Sequence, residues 1–333
     1  MSDAELPADL RDELRATWHR YLDRVAPLRP ALFGVCRRLT GNVWEAEDLV
    51  QDTLLRAFAT LGSIHHEVRN PRAYLLRTAT NLWIDTVRRR EREATALAEP
   101  AAEAPAAAPA ELRDAGERLF QRLSPQERAA LVLKDAFDMS LDEIAEILRT
   151  TRGAVKAALH RGRGRLGAPE AAAAHRPRPS VALLDRFVAL YRAADVPGLV
   201  ALMLDGGSVE NVGCGVEFGR ENFPRETGWF HRAVFGHAEW PAELQYTDSR
   251  LERAELDGEP ILLGFATRRG REALEQVLRI EEVDGRIARL RGYAFCPETM
   301  REVGERLGLP VRTGLYRYPT PAPGTFYTEP RKS

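Results

Sequence analysis

What this chain has little of narrows what it can be. Cysteine occurs only at Cys36, Cys214 and Cys296, far apart, with no C-x-x-C pair and no spacing that would suit a metal. That pattern argues against a disulfide-stapled scaffold and fits reduced thiols packed as small hydrophobes in a cytoplasmic protein. Long apolar runs are also missing: no stretch of about 20 such residues could span a bilayer, and the acidic start "MSDAELPADLRDELRATW" has no apolar signal core. Net charge is the third absence. Lys and Arg number 48 against 49 Asp and Glu, leaving −1 at pH 7, so any binding of nucleic acid must rest on local basic patches. A soluble, cytoplasmic chain without a cofactor is expected.

The 333 residues suffice for two or three domains, and two shifts in composition divide them. "ATALAEPAAEAPAAAPA" at 94–110 is Ala/Pro-rich with no periodic apolar face, as a semi-extended linker requires, and "GAPEAAAAHRPRPS" at 167–180 is a shorter version. The first piece is helical: in "NVWEAEDLVQDTLLRAFATL" one apolar stripe runs through Ala46, Leu49, Leu54, Ala57 and Leu61. The middle piece is also helical and carries two capping boxes, "SPQE" from Ser124 and "SLDE" from Ser140, with Pro125 at a first helical position where a missing donor costs nothing. The third piece opens with helices in "SVALLDRFVALYRAADVPGLVALM". It then alternates in short segments with Asp257-Gly258 and Asp284-Gly285 as hairpin turns, which predicts an α+β domain with a curved antiparallel sheet.

Three faces carry candidate chemistry. Glu45, Asp48 and Asp52 share one side of a helix opposite its apolar stripe; like charges at this spacing repel, and a cationic partner would relieve them. A solvated face is the plain alternative. In "LLRTATNLWIDTVRRRERE", Leu75, Ala79, Leu82 and Thr86 form a narrow buried stripe. A second stripe holds Arg77, Asn81, Asp85, Arg88 and Arg92, with Tyr74 and Trp83 beside it. Aromatics with Arg and Asn are what stacking unpaired bases and neutralising phosphates require, although Trp83 and Tyr74 could equally fill core beside Leu82.

The most specific signal is "SLDEIAEILRTTRGAVKAALHRGRGRL". Leu141, Ile144, Ala145 and Leu148 give the inward face of a first helix, and Val155, Ala158, Leu159 and Leu166 that of a second. From Arg149 through Arg165 there are six cations and no acid, and Arg152, Lys156, Ala157 and His160 point outward where a major groove would be read. A generic basic helical hairpin is the competing reading.

Together, "EAEDLVQDTLLRAF", "NPRAYLLRTATNLWIDTVRRR", an Ala/Pro linker and "LSPQERAALVLKDAFDMSLDEIAEILRTTRGAVKAALHRGRGRL" resemble, in order and spacing, the sigma-70 family, in particular its compact extracytoplasmic-function group. The resemblance covers about residues 18–167. It implies a sigma factor that binds core RNA polymerase (its β and β′ subunits) and promoter DNA, with Asp48, Gln51 and Asp52 on a basic coiled-coil clamp. Tyr74, Arg77, Asn81, Trp83, Arg88 and Arg89, with the loop "GSIHHEVRNP", would capture the melted minus-ten element. Arg152, Lys156, His160, Arg161 and Arg163 would lie on the minus-thirty-five duplex. Arg149 departs from the family pattern, whose turn often has Gly there. The third piece is similar, at the level of pattern, to a SnoaL-like domain of the NTF2 cone fold.

The expected organisation is multidomain: an all-α region 2 bundle at 15–93, a linker at 94–116, an all-α region 4 helix-turn-helix at 117–167, a linker at 168–179, an α+β NTF2-like cone at 180–307 and an extended tail at 308–333. No enzymatic activity is expected, and the cone would regulate in cis. The alternative is a cone-fold enzyme or small-ligand sensor tethered to a DNA-binding module, with His231, His237 and Glu210 as pocket candidates and Asp195 more simply a helix N-cap.

Overall fold

Helix starts in this chain are written in capping side chains, and the computed structural model shows most of them in use. It describes residues 8–61, 63, 68–97, 123–165, 178–224, 248–314 and 316. The chain divides into two compact units, one of residues 23–174 and one of residues 1–22 with 175–333.

Helix α1 (Ala8–Val25) is followed by α2 (Arg29–Thr40), α3 (Val43–Leu61) and α4 (Pro71–Leu97). Gly41 ends α2 with a left-handed φ of 73°, which glycine adopts without a Cβ penalty. Asn42 Oδ1 then accepts from the Trp44 and Glu45 N–H groups at 2.8 and 3.1 Å and starts α3. Asn70 does the same for Ala73 at 3.0 Å. The apolar stripe expected in α3 is inside: Ala46, Leu49, Leu54 and Ala57 are buried, as are Leu32, Val35, Cys36 and Leu39 of α2 facing them.

Helix α4 buries a wider face than its sequence suggested. Leu75, Leu76, Ala79, Thr80, Trp83 and Ile84 are buried, whereas Leu82 and Thr86 are only half-buried. The stripe therefore turns through Trp83 instead of Leu82. The helix also continues to Leu97, past the limit expected at residue 93.

In the unit of residues 23–174, which also holds α2, α3 and α4, α5 (Pro125–Leu131) runs into a π-helical turn (Val132–Ala136), then α6 (Leu141–Ile147) and α7 (Arg152–Arg165). Both capping boxes are complete, Ser124 with Glu127 and Ser140 with Glu143. Between α6 and α7, Arg149 takes φ = +50° and Thr150 N–H donates to Ala145 C=O at 2.9 Å, closing a Schellman-type end. The turn geometry associated with glycine is present, with Arg held in the left-handed region.

The second unit has α8 (Val181–Arg192), α9 (Val196–Ala201), strands β1 (Met203–Asn211), β2 (Gly215–Phe218), β3 (Asp248–Leu256), β4 (Glu259–Arg268), β5 (Arg271–Val283) and β6 (Arg286–Gly292), and α10 (Pro297–Leu307). Strand order is β2-β1-β6-β5-β4-β3. The expectation of a wholly antiparallel sheet is corrected: β6, the last of the four antiparallel-linked strands β3 to β6, pairs with β1 in parallel. Register shifts after Gly264 and Glu281 mark irregularities of the kind that bend a sheet.

Asp257-Gly258 and Asp284-Gly285 both have positive φ, the geometry of tight hairpin turns, and Arg269-Gly270 forms a third that sequence reading missed. Leu183, Leu184 and Phe187 of α8 pack with Leu251, Leu262, Ile280 and Leu290 of the sheet. The segment after α10 is not free from residue 308: Leu274 N–H donates to Pro310 C=O at 2.8 Å and Arg312 N–H to Leu274 C=O at 2.9 Å. Most of both expected linkers, residues 62 and 64–67 of the minus-ten loop, Leu166, His231, His237 and most of the tail lie outside the described residues.

Candidate nucleic-acid interface

The acidic helix face is built over a buried ion pair. Arg29 of α2 and Glu47 of α3 pair at 2% and 0% exposure, and Gln51 Nε2 donates to Glu47 Oε1 at 2.6 Å. Gln51 is thus 9% exposed and spends its amide inside the bundle, while Asp48 is half-buried and Asp52 exposed. Of the three residues expected to dock on a clamp, Asp52 is the exposed one. The Arg29–Glu47 pair escaped sequence reading because its partners are 18 residues apart on different helices, with no local spacing to signal it. Its field also reaches Cys36, whose thiol is pushed up by burial first and by the Glu47 charge second.

On α4, Tyr74, Arg77 and Asn81 are half-buried and Arg88 and Arg89 exposed, all toward one side. The Arg77 guanidinium sits 5.8 Å from the Tyr74 ring centroid and 3.3 Å from Glu146 Oε1 of α6. Trp83 is placed differently from the expectation: it is 6% exposed, with the Arg128 guanidinium of α5 lying 5.3 Å from its ring centroid. Its face is covered by a cation of this same chain, so in this arrangement it has no free surface on which a base could stack.

Arg128 is itself 7% exposed and donates to Leu39 C=O, in the last turn of α2, at 2.7 Å. Burial pushes its pKa down to about 10. Its sequence context "ERAALVL" carries no sign of this role, since an Arg on a helix is solvated by default.

On α7 the inward positions Val155, Ala158 and Leu159 are buried, and Arg152, Lys156, His160, Arg161 and Arg163 are all exposed. Lys156, His160 and Arg163 line, with Lys134, Leu141 and Leu159, a cleft of about 640 Å³. The cations are not equally free. Arg161 pairs with the buried Glu127 at 2.9 Å, Arg163 with Asp135 at 2.6 Å and Arg152 with Asp142 at 3.4 Å, whereas Lys156 and His160 make no ion pair among the described residues.

Two family models match: Sigma-70 region 2 over residues 25–93 and Sigma-70 region 4 over residues 114–166. The ECF RNA polymerase sigma factor SigW of Bacillus subtilis is 30% identical over 159 residues, 43% of this chain and 84% of the relative. The chain belongs to the ECF sigma-factor family. This sigma factor is also similar to SigG of Mycobacterium tuberculosis, 29% identical over 289 residues, 75% of this chain and 73% of the relative. As a family member it is a transcription-initiation factor that works with core RNA polymerase and promoter DNA, not an enzyme.

Among solved structures, that of SigJ from Mycobacterium tuberculosis matches 84% of this chain and 98% of its own at 21% identity and a TM-score of 0.31. An NTF-2 like protein from Burkholderia xenovorans LB400 matches 45% of this chain and 92% of its own at 12% identity and a TM-score of 0.25. The second unit is α+β by its own topology.

Asp195 is the N-cap of α9, as its position at a helix start suggested, accepting from Gly198 N–H at 2.9 Å, while the pocket candidate Glu210 is engaged in pairs with Arg289 at 2.6 Å and Arg291 at 3.0 Å. No group of metal-ligating side chains occurs, and no helix is long and apolar enough to cross a membrane, among the described residues.

Proposed function

We propose that this sigma factor divides its work among three faces. Asp48 and Asp52, on a helix held by the Gln51–Glu47–Arg29 cluster, dock on a basic coiled-coil clamp of the polymerase β′ subunit, with further contacts on β. Tyr74, Arg77, Asn81, Arg88 and Arg89 hold the melted minus-ten strand. Trp83 joins them only when Arg128 leaves its ring. Arg152, Lys156, His160, Arg161 and Arg163 read and neutralise the minus-thirty-five duplex. The supporting observation is the exposure of Arg152, Lys156, His160, Arg161 and Arg163 on a helix whose inward positions Val155, Ala158 and Leu159 are buried. Melting requires no covalent chemistry, because stacking of unpaired bases, worth about 1–3 kcal/mol each, can offset duplex unstacking.

Region 2 (15–93) and region 4 (117–167) then serve as separate DNA-binding modules, and the third domain (180–307) acts on them in cis in the cytoplasm. A small-molecule ligand in that third domain would make it a sensor. Support comes from Gln276, whose buried amide oxygen has no hydrogen-bond partner and whose Nε2 lies 3.4 Å from Asn211 Oδ1. Transcription with core polymerase tests the whole reading. Promoter-dependent transcripts should appear with the wild-type chain, Asn81→Ala with Arg77→Ala should lose opening while keeping duplex binding, and removal of residues 178–333 should change activity. A chain that neither co-elutes with core nor directs transcripts refutes it.

A further inference from the structure

We propose that Arg128 is the bolt of an intramolecular latch, holding region 4 against region 2 in the free chain, and that it must withdraw before both promoter elements can be engaged. The inference rests on the reading that the two regions bind separate elements.

Four contacts from region 4 land on region 2 within one compact unit. Arg128 donates to Leu39 C=O and covers Trp83. Glu146 pairs with Arg77, and Phe137 lies 5.6 Å from the Arg38 guanidinium. Two of these contacts occupy Arg77 and Trp83, side chains assigned here to the melted strand.

Geometry makes the closed form incompatible with a whole promoter. The element names place them about 25 base pairs apart, about 85 Å of duplex. A compact unit of the length of residues 23–174 is only about 40 Å across. The chain between Leu97 and Leu123 can reach at most about 90 Å when extended, so covalent continuity permits the separation that promoter binding demands. The latch is also poised to release. Arg128 gives up hydration on closing, its Nε is buried without a hydrogen-bond partner among the described residues, and its cation gains in return, among those residues, a carbonyl at a helix C-terminus and an aromatic face. Opening rehydrates the guanidinium, uncovers Trp83 and frees Arg77 in one motion.

The test uses the full chain with spin labels at two exposed positions, Ala59→Cys on α3 and Ala157→Cys on α7, with Cys214→Ser to remove the half-exposed native thiol. Wild type should give one narrow, short distance distribution. Arg128→Glu sets a carboxylate against the Leu39 carbonyl, and should broaden the distribution beyond about 40 Å and raise affinity for core polymerase at least about tenfold. Arg128→Lys should restore much of the closed population. Glu146→Arg, at an exposed position where folding is not at stake, should open the chain partially through repulsion of Arg77.

Unchanged distances in both Arg128→Glu and Glu146→Arg overturn the proposal. So does opening with no gain in core affinity, which would make the contact packing and not a brake. If neither wild type nor variants bind core, the functional reading fails, and the latch as a regulator of polymerase binding falls with it.

Discussion

Replacing Lys156 by Ala separates the free cations of α7 from the paired ones by their salt dependence. Each phosphate neutralised on B-form DNA contributes about −0.9 to the slope of log K against log salt, which is about 3.5-fold in affinity between 50 and 200 mM salt. Lys156 is exposed and makes no ion pair among the described residues, so its charge is fully available; Lys156→Ala should flatten the slope by nearly one unit. Arg163 differs because it must first leave Asp135, 2.6 Å away. Both partners are half-exposed, at 55% and 50%, and such a pair is worth about 0–1 kcal/mol. Asp135→Asn should therefore strengthen DNA binding up to about fivefold at low salt, an effect that fades as salt rises. Anisotropy titrations of a labelled 30-base-pair duplex with the full chain, repeated from 50 to 200 mM salt, give every slope. If Lys156→Ala binds with the wild-type slope while retaining its fold, α7 is not the phosphate-facing helix and the assignment of this interface is wrong.

Other expectations follow from the same contacts. Arg29→Met takes the Arg29 cation away from Glu47, which is buried at 0% exposure and keeps the Gln51 amide, and should cost about 3–5 kcal/mol in urea unfolding, whereas Arg29→Met with Glu47→Leu should return close to wild type; equal loss in both would show that the ion pair is not the cause. Arg149→Gly relieves a left-handed residue and should stabilise the first unit by about 1 kcal/mol, raising its melting temperature by a few degrees; a lower temperature would mean the Arg149 side chain does something the turn geometry does not reveal. Ser140→Ala removes one half of a capping box and should cost about 1 kcal/mol. Bonds from Ser140 hold the Glu143 carboxyl below its usual value, so in wild type that contribution is present above the ordinary glutamate range and fades as pH falls through the lowered pKa. The penalty of Ser140→Ala should shrink with acidification in parallel melts; a constant penalty would disconnect the cap from Glu143.

Local signals in this chain were legible because their physics is local. Ser140 and Glu143 satisfy each other across one turn wherever they occur, Asp257-Gly258 adopts positive φ with little regard to its surroundings, and the inward positions of α6 and α7 follow from a period of 3.6. Arg152, Lys156, Arg161 and Arg163 of α7 were legible as an exposed basic face for the same reason. Trp83 was not, because an aromatic beside an apolar stripe has two equivalent fates until a neighbour arrives. Gln51 looked like surface until Glu47 and Arg29 drew its amide inward.

By itself, then, the sequence determined which segments are helices, where the capped ones start, the inward faces of α3, α6 and α7, and that two sigma regions follow one another. Tertiary structure alone decided the parallel pairing of β1 with β6, the charge buried beneath the acidic helix, and the burial of Trp83 under Arg128. Each joins residues far apart in the chain: strand pairing, ion pairing and burial depend on which surfaces meet, and nothing in a residue's immediate neighbours specifies that.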